Sequence, residues 1–133
     1  MKMAVVDTHT VIWALLRPEL LSQQAKDVFR QAQQQRLKMA VPSICLVEVT
    51  YLVEKRRLDS ATRDFLLQAL QDPESAVELV PLDYEVADAL ARVPRDEVPD
   101  MPDRIIAATA VHLGLPLVSR DRKIRASSVT TIW

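Results

Sequence analysis

The chain has 133 residues, 49% of them apolar and 26% charged, and a formal net charge of -1. That describes one globular domain with a real core, and it excludes a disordered segment or a protein drawn to polyanions by its overall field. A single cysteine, Cys45, excludes an internal disulfide and fits a reducing cytoplasm, and no apolar run approaches the ~20 residues of a membrane span. No signal-peptide pattern follows Met1, so a cytoplasmic protein without membrane association is expected.

Met3 to Val6 reads as a short buried strand, and Thr8 to Leu16 as a helix stopped near Pro18. Gln23 to Gln35 carries apolar residues at helical spacing through Ala25, Val28, Phe29 and Ala32. Leu37 to Val41 is a second strand. A helix from Ile44 to Arg57 follows, with Ser43 as its N-cap, and Ala61 to Leu70 is another, closed by Asp72-Pro73. Val77 to Val80 is a third strand, Tyr84 to Arg92 a helix capped by Asp83, and Pro94 to Asp100 a polar loop. Arg104 to Leu113 is a helix ended by Gly114, Leu115 to Ser119 a strand, and Val129 to Ile132 a last short strand. Strands and helices alternate without hairpin signals. The expected class is α/β, an α/β/α sandwich around a mainly parallel sheet, with any site beyond the carboxyl ends of the strands.

Four acids sit beside or inside apolar segments: Asp7, Glu48, Asp103 and Asp121. Three have ordinary explanations. Asp7 can cap the first helix, Asp103 suits the dipole of a first turn that Asp100 can also cap, and Asp121 can cap Arg122 to Ala126. Glu48 is harder to dismiss, because a helix from Ile44 puts it on a face with Ile44, Tyr51 and Leu52. Two carboxylates ~4 Å apart repel by about 4 kcal/mol at an effective dielectric of 20, so a converging set needs a cation or must take up protons. A hard, oxygen-ligated ion, Mg2+ or Mn2+, accounts for the whole set. Zinc is disfavoured, since His9, His112 and Cys45 show no ligand spacing.

Four segments carry a resemblance that spans nearly the entire chain. They are Val5-Val6-Asp7-Thr8-His9-Thr10-Val11-Ile12-Trp13, Pro42-Ser43-Ile44-Cys45-Leu46-Val47-Glu48-Val49, Asp100-Met101-Pro102-Asp103-Arg104-Ile105-Ile106-Ala107-Ala108-Thr109-Ala110, and Leu117-Val118-Ser119-Arg120-Asp121-Arg122-Lys123-Ile124, with Ile132-Trp133 at the end. In that order they resemble the PIN-domain family, and within it the VapC-like toxins of type II toxin–antitoxin pairs. The resemblance implies a parallel sheet between helices and a metal-dependent endoribonuclease. Asp7, Glu48, Asp103 and Asp121 match its acidic quartet, and Ser119 its small hydroxyl residue near the fourth acid. It also implies a small cognate antitoxin that inserts an Arg toward the acids, and a homodimer. Met101-Pro102 departs from the aromatic and proline order of relatives, so no site role is carried over to Asp100.

In this reading water activated by the ion attacks phosphorus, a 3′ oxygen leaves, and 5′-phosphate products result. Arg104, Arg120, Arg122, Lys123 and Arg125 flank the last two acids and are candidates for RNA phosphate contacts. Lys55-Arg56-Arg57 reads instead as a cluster favourable to a helix C-terminus. With only six Phe, Trp and Tyr residues, several of them core-like, base stacking is not visible as a specificity device. A haloacid-dehalogenase-like phosphatase would need a second Asp where His9 stands. A degenerate PIN domain that only binds RNA or protein is the other alternative, although clustered acids serve a polyanion binder poorly.

Overall fold

Successive residues of a strand point to opposite faces, so an unbroken buried run means that both faces are covered. Strand β1 (Lys2–Val6) has such a run at Ala4, Val5 and Val6, and β2 (Lys38–Pro42) at Met39, Ala40 and Val41. These come from a computed structural model that describes every residue from Met1 to Trp133. With β3 (Val77–Val80), β4 (Leu117–Val118) and β5 (Thr131–Ile132) they form one sheet of order β3-β2-β1-β4-β5, parallel at every pairing. The helices are α1 (Thr8–Leu16), α2 (Gln23–Gln34), α3 (Ser43–Glu54), α4 (Ser60–Gln71), α5 (Tyr84–Ala89), α6 (Met101–Leu113) and α7 (Arg122–Ala126). This is the expected α/β/α sandwich. No helix is long and apolar enough to cross a membrane.

The chain lays down β1, β2 and β3 outward in one direction, then returns to the other side of β1 for β4 and β5. The reversal leaves a crevice at the carboxyl ends of β1 and β4, the place where open α/β sheets form sites. Val5 and Val6 pair there with Leu117 and Val118.

Several boundaries differ from the sequence expectation, each for a physical reason. Ser43 does not cap α3: Pro42 holds that position, and Ser43 Oγ accepts the amide of Leu82 at 3.0 Å, tying the chain beyond β3 to the start of α3. Helix α6 begins at Met101 rather than Arg104. Pro102 is tolerated in the first turn, where its missing N–H would have no helical partner, and Asp100 caps the helix. Gly114 ends α6 with φ 65, a left-handed conformation that costs an L side chain about 1 kcal/mol. The helix expected over Tyr84 to Arg92 tightens into a 3-10 turn at Leu90–Arg92.

Helix α6 carries Asp103 and buries Ile105 through Ala110. Ile106, fully buried, should cost about 2–5 kcal/mol when cut to Ala. Urea unfolding of Ile106→Ala is expected to show a lower midpoint at an unchanged slope, and a loss under about 1 kcal/mol would contradict this packing.

Candidate active site

Backbone amides and hydroxyls hold most of the acids in place. Asp7 follows β1 and caps α1, its Oδ1 accepting the amide of Thr10 at 3.0 Å. Thr10 Oγ1 donates to the Val118 carbonyl at 3.1 Å, which fastens the first turn of α1 to β4. Asp121 caps α7 through Oδ1 and the Ile124 amide at 3.0 Å, while its own amide donates to Ser119 Oγ at 3.0 Å. Asp100 Oδ2 accepts the Asp103 amide at 3.2 Å. Glu48, half-buried on α3, accepts the Thr8 hydroxyl on Oε1 at 2.6 Å. Each of these four acids therefore commits one oxygen to the fold and keeps a second for the cleft. Asp103, in the first turn of α6, makes no side-chain hydrogen bond within the protein.

Asp7, Glu48, Asp103 and Asp121 line a single cleft of about 550 Å³, and Asp100 joins them. Thr8, His9, Trp13 and Arg120 supply the rest of its wall. None of the five acids has a basic partner within ion-pairing distance. Burial, reinforced by the charges of Asp100, Asp121, Glu48 and Asp7, pushes the Asp103 carboxyl up from 3.8 to about 7. Glu48 is also raised, by burial first and by Asp100 and Asp7 after it, against the opposing Thr8 hydrogen bond and the His9 ring. Burial holds the Cys45 thiol far above its ordinary range, with Asp7, Glu48 and Asp103 adding to the effect, so this side chain stays neutral and inert.

Hard carboxylate oxygens that make no ion pair suit Mg2+ or Mn2+. No three acid, histidine or cysteine side chains stand close enough to enclose an ion directly. The donor set therefore fits an ion held by one or two carboxylates with water filling the remaining positions, the arrangement Mg2+ favours.

The other residues singled out in the sequence fall elsewhere. Ser119 is fully buried and touches the Asp121 amide rather than the cleft, so it orients an acid. Arg104 departs from its expected place beside a substrate: its guanidinium donates to the Leu90 and Val93 carbonyls at 3.1 and 3.0 Å, which ties down the turn before α6. Arg122, Lys123 and Arg125 are exposed on α7 outside the cleft wall, and only Arg120 of the basic set lines it. Sequence reasoning set Asp100 aside and passed over Thr8. The Asp-x-x-Asp spacing across Pro102, a capping acid followed by a first-turn acid, was a usable signal for Asp100. Thr8 had none, because its partner Glu48 lies forty residues away.

The fold and this acid-lined cleft define a PIN domain, and the chain belongs to that family, whose model matches residues 4–128. It is 29% identical over 136 residues to the ribonuclease VapC22 of Mycobacterium tuberculosis, with the whole of both chains covered. Among solved structures it resembles VapBC2 from Rickettsia felis bound to a DNA fragment from their promoter, with a TM-score of 0.70 at 16% identity over 97% of this chain and 96% of that one. DNA-bound VapBC from Salmonella typhimurium gives a TM-score of 0.68 at 21% identity, covering 98% and 97%. VapBC-5 from Mycobacterium tuberculosis gives 0.60 at 21%, covering 98% of each chain.

The raised Asp103 pKa makes metal-free stability depend on pH. Between 3.8 and about 7 the folded protein holds a proton that the unfolded chain releases, so this contribution is full below pH 3.8 and is lost as pH rises through 7. Asp103→Asn removes it. Urea titrations in a chelator are expected to show the variant gaining on wild type by on the order of 1 kcal/mol from pH 4 to 8, after allowance for solvent screening. Parallel stability curves for the two proteins would refute the assignment.

Proposed function

We propose that this protein is a Mg2+- or Mn2+-dependent endoribonuclease, the toxin of a toxin–antitoxin pair. The observation that carries the reading is the gathering of Asp7, Glu48, Asp103, Asp121 and Asp100 in one cleft without a basic partner. Identity to VapC22, named as a ribonuclease, over the full length of both chains supports it. A protein that only gripped RNA would be weakened by this concentration of negative charge.

A divalent cation, when bound, supplies positive charge beside the phosphodiester oxygens and lowers the pKa of water. Asp7 and Asp103 would hold it. With Oδ1 fixed by the Thr10 amide, Asp7 presents Oδ2 in a set orientation. Asp103, whose carboxyl burial raises to about 7, would have to be ionised to serve as a ligand. Glu48, steadied by Thr8, and Asp121, steadied by the Ile124 amide, would orient the attacking water. Arg120 meets a phosphate of the strand. Bonding of the water oxygen to phosphorus would break the bond to the 3′ oxygen, which takes up a proton and leaves as a 3′-hydroxyl, so the products carry 5′-phosphates.

The solved relatives named VapBC support an antitoxin partner for this chain. An Arg delivered into the cleft would offset the same charge as the cation and silence the enzyme. Val47 and Tyr51 on α3 and Phe65 on α4 are 47%, 58% and 45% exposed on two helices that pack together, and they are the apolar surface we assign to protein contacts, a second copy of the chain included.

In Mn2+ the wild-type protein is expected to cut single-stranded RNA to 5′-phosphate ends, and chelation to stop it. Asp103→Asn, which should remain folded, is expected to lower kcat at least about 100-fold. Full activity in that variant would remove the proposal.

A further inference from the structure

Residues 9, 13, 120 and 133 are scattered along the chain, yet the fold assembles them into one ledge at the edge of the acidic cleft. His9 and Trp13 lie one turn apart on α1, with ring centroids 5.6 Å apart and planes tilted by 49°. Trp133 backs Trp13 at 5.9 Å, and the Arg120 guanidinium sits over the Trp13 ring, 5.7 Å from its centroid. Both tryptophans are partly buried against the core, whereas His9 and Arg120 are exposed, and His9, Trp13 and Arg120 line the same cleft as the acids. Arg120 stands among carboxylates without pairing to any of them. The contact with Trp13 holds the guanidinium at the cleft without using its ion-pairing capacity, which suits a phosphate.

We propose that this ledge holds an unpaired nucleotide next to the cut, with its base stacked on the His9 ring and its phosphate on Arg120. Trp13 is the positioning residue that keeps both in place. The assignment rests on the ribonuclease reading and deepens it by giving the cleft a subsite that an unpaired base fills. A base within a duplex cannot offer its face to His9 without leaving its neighbours. The contact is tolerant of base identity, because every base has a π-face.

The test measures anisotropy of a labelled single-stranded oligoribonucleotide on the full chain, with Ca2+ in place of Mg2+, alongside cleavage kinetics in Mn2+. His9→Ala is expected to weaken binding and raise KM about tenfold, one stacked base, with kcat within about twofold, and His9→Phe to restore both. An abasic site walked along the oligonucleotide should reveal one position where wild type loses about tenfold and His9→Ala loses nothing further. Arg120→Ala should weaken abasic and intact strands alike and reduce the salt slope by about 1, Trp13→Leu should reproduce that slope, and Trp13→Phe should not. Additive losses for His9→Ala and the abasic site would overturn the ledge, as would equal affinity for a duplex. Absence of any cleavage by wild type would sink the ribonuclease reading while the abasic arm still decided the ledge. Cleavage indifferent to His9 would sink the ledge alone.

Discussion

Repulsion among carboxylates at the ends of β1 and β4 is the constraint around which this protein is organised. Five acids face one cleft, and no lysine or arginine forms an ion pair with any of them. Asp103, the one acid of the five whose side chain accepts no hydrogen bond, shows the combined effect: burial first, and the neighbouring carboxylates after it, raise its pKa to about 7. A site that prefers to hold a proton when empty is one that a cation can discharge. Under the proposed function, the same imbalance would let a positively charged side chain from a partner compete for the cleft.

Local structure makes the arrangement tolerable. Asp7, Asp100 and Asp121 are each the N-cap of a helix, so their charges lie against unpaired amides and, for the longer α1 and α6, against the positive end of the helix dipole. Capping a helix and lining the cleft are therefore compatible for these residues. One oxygen of each serves the backbone, and that fixes the direction in which the other is offered. Glu48, remote from any helix start, is steadied by Thr8 instead. The crossover of the chain at β1 brings these pieces together, with Thr10 joining α1 to β4 across the crevice.

Charge is divided across the molecule in the same spirit. The near-neutral total conceals an acidic cleft with a single arginine in its wall, held there by an aromatic stack rather than by an ion pair. Arg104, although next to Asp103 in sequence, turns away to bind carbonyls of the preceding turn. Adjacent residues of a helix face different directions, so sequence neighbourhood was a poor guide to which cation meets the cleft.

Alternating apolar runs and helical periodicities settled the class of fold from the sequence, because burial on both faces of a strand leaves a continuous apolar signature. The acids Asp7, Glu48, Asp103 and Asp121 were legible for a related reason: each interrupts or ends an apolar run, where a charge has no local use beyond capping. What the one-dimensional pattern could not carry was convergence. The pairing of Thr8 with Glu48, the admission of Asp100 to the cleft and the assembly of His9 and Trp13 with Arg120 and Trp133 all join residues distant in the sequence that only the folded chain makes neighbours. Local sequence encodes periodicity and capping, which act within a few residues. Contacts across the sheet depend on strand order and on the direction each side chain leaves its helix, and these exist only once the chain has folded.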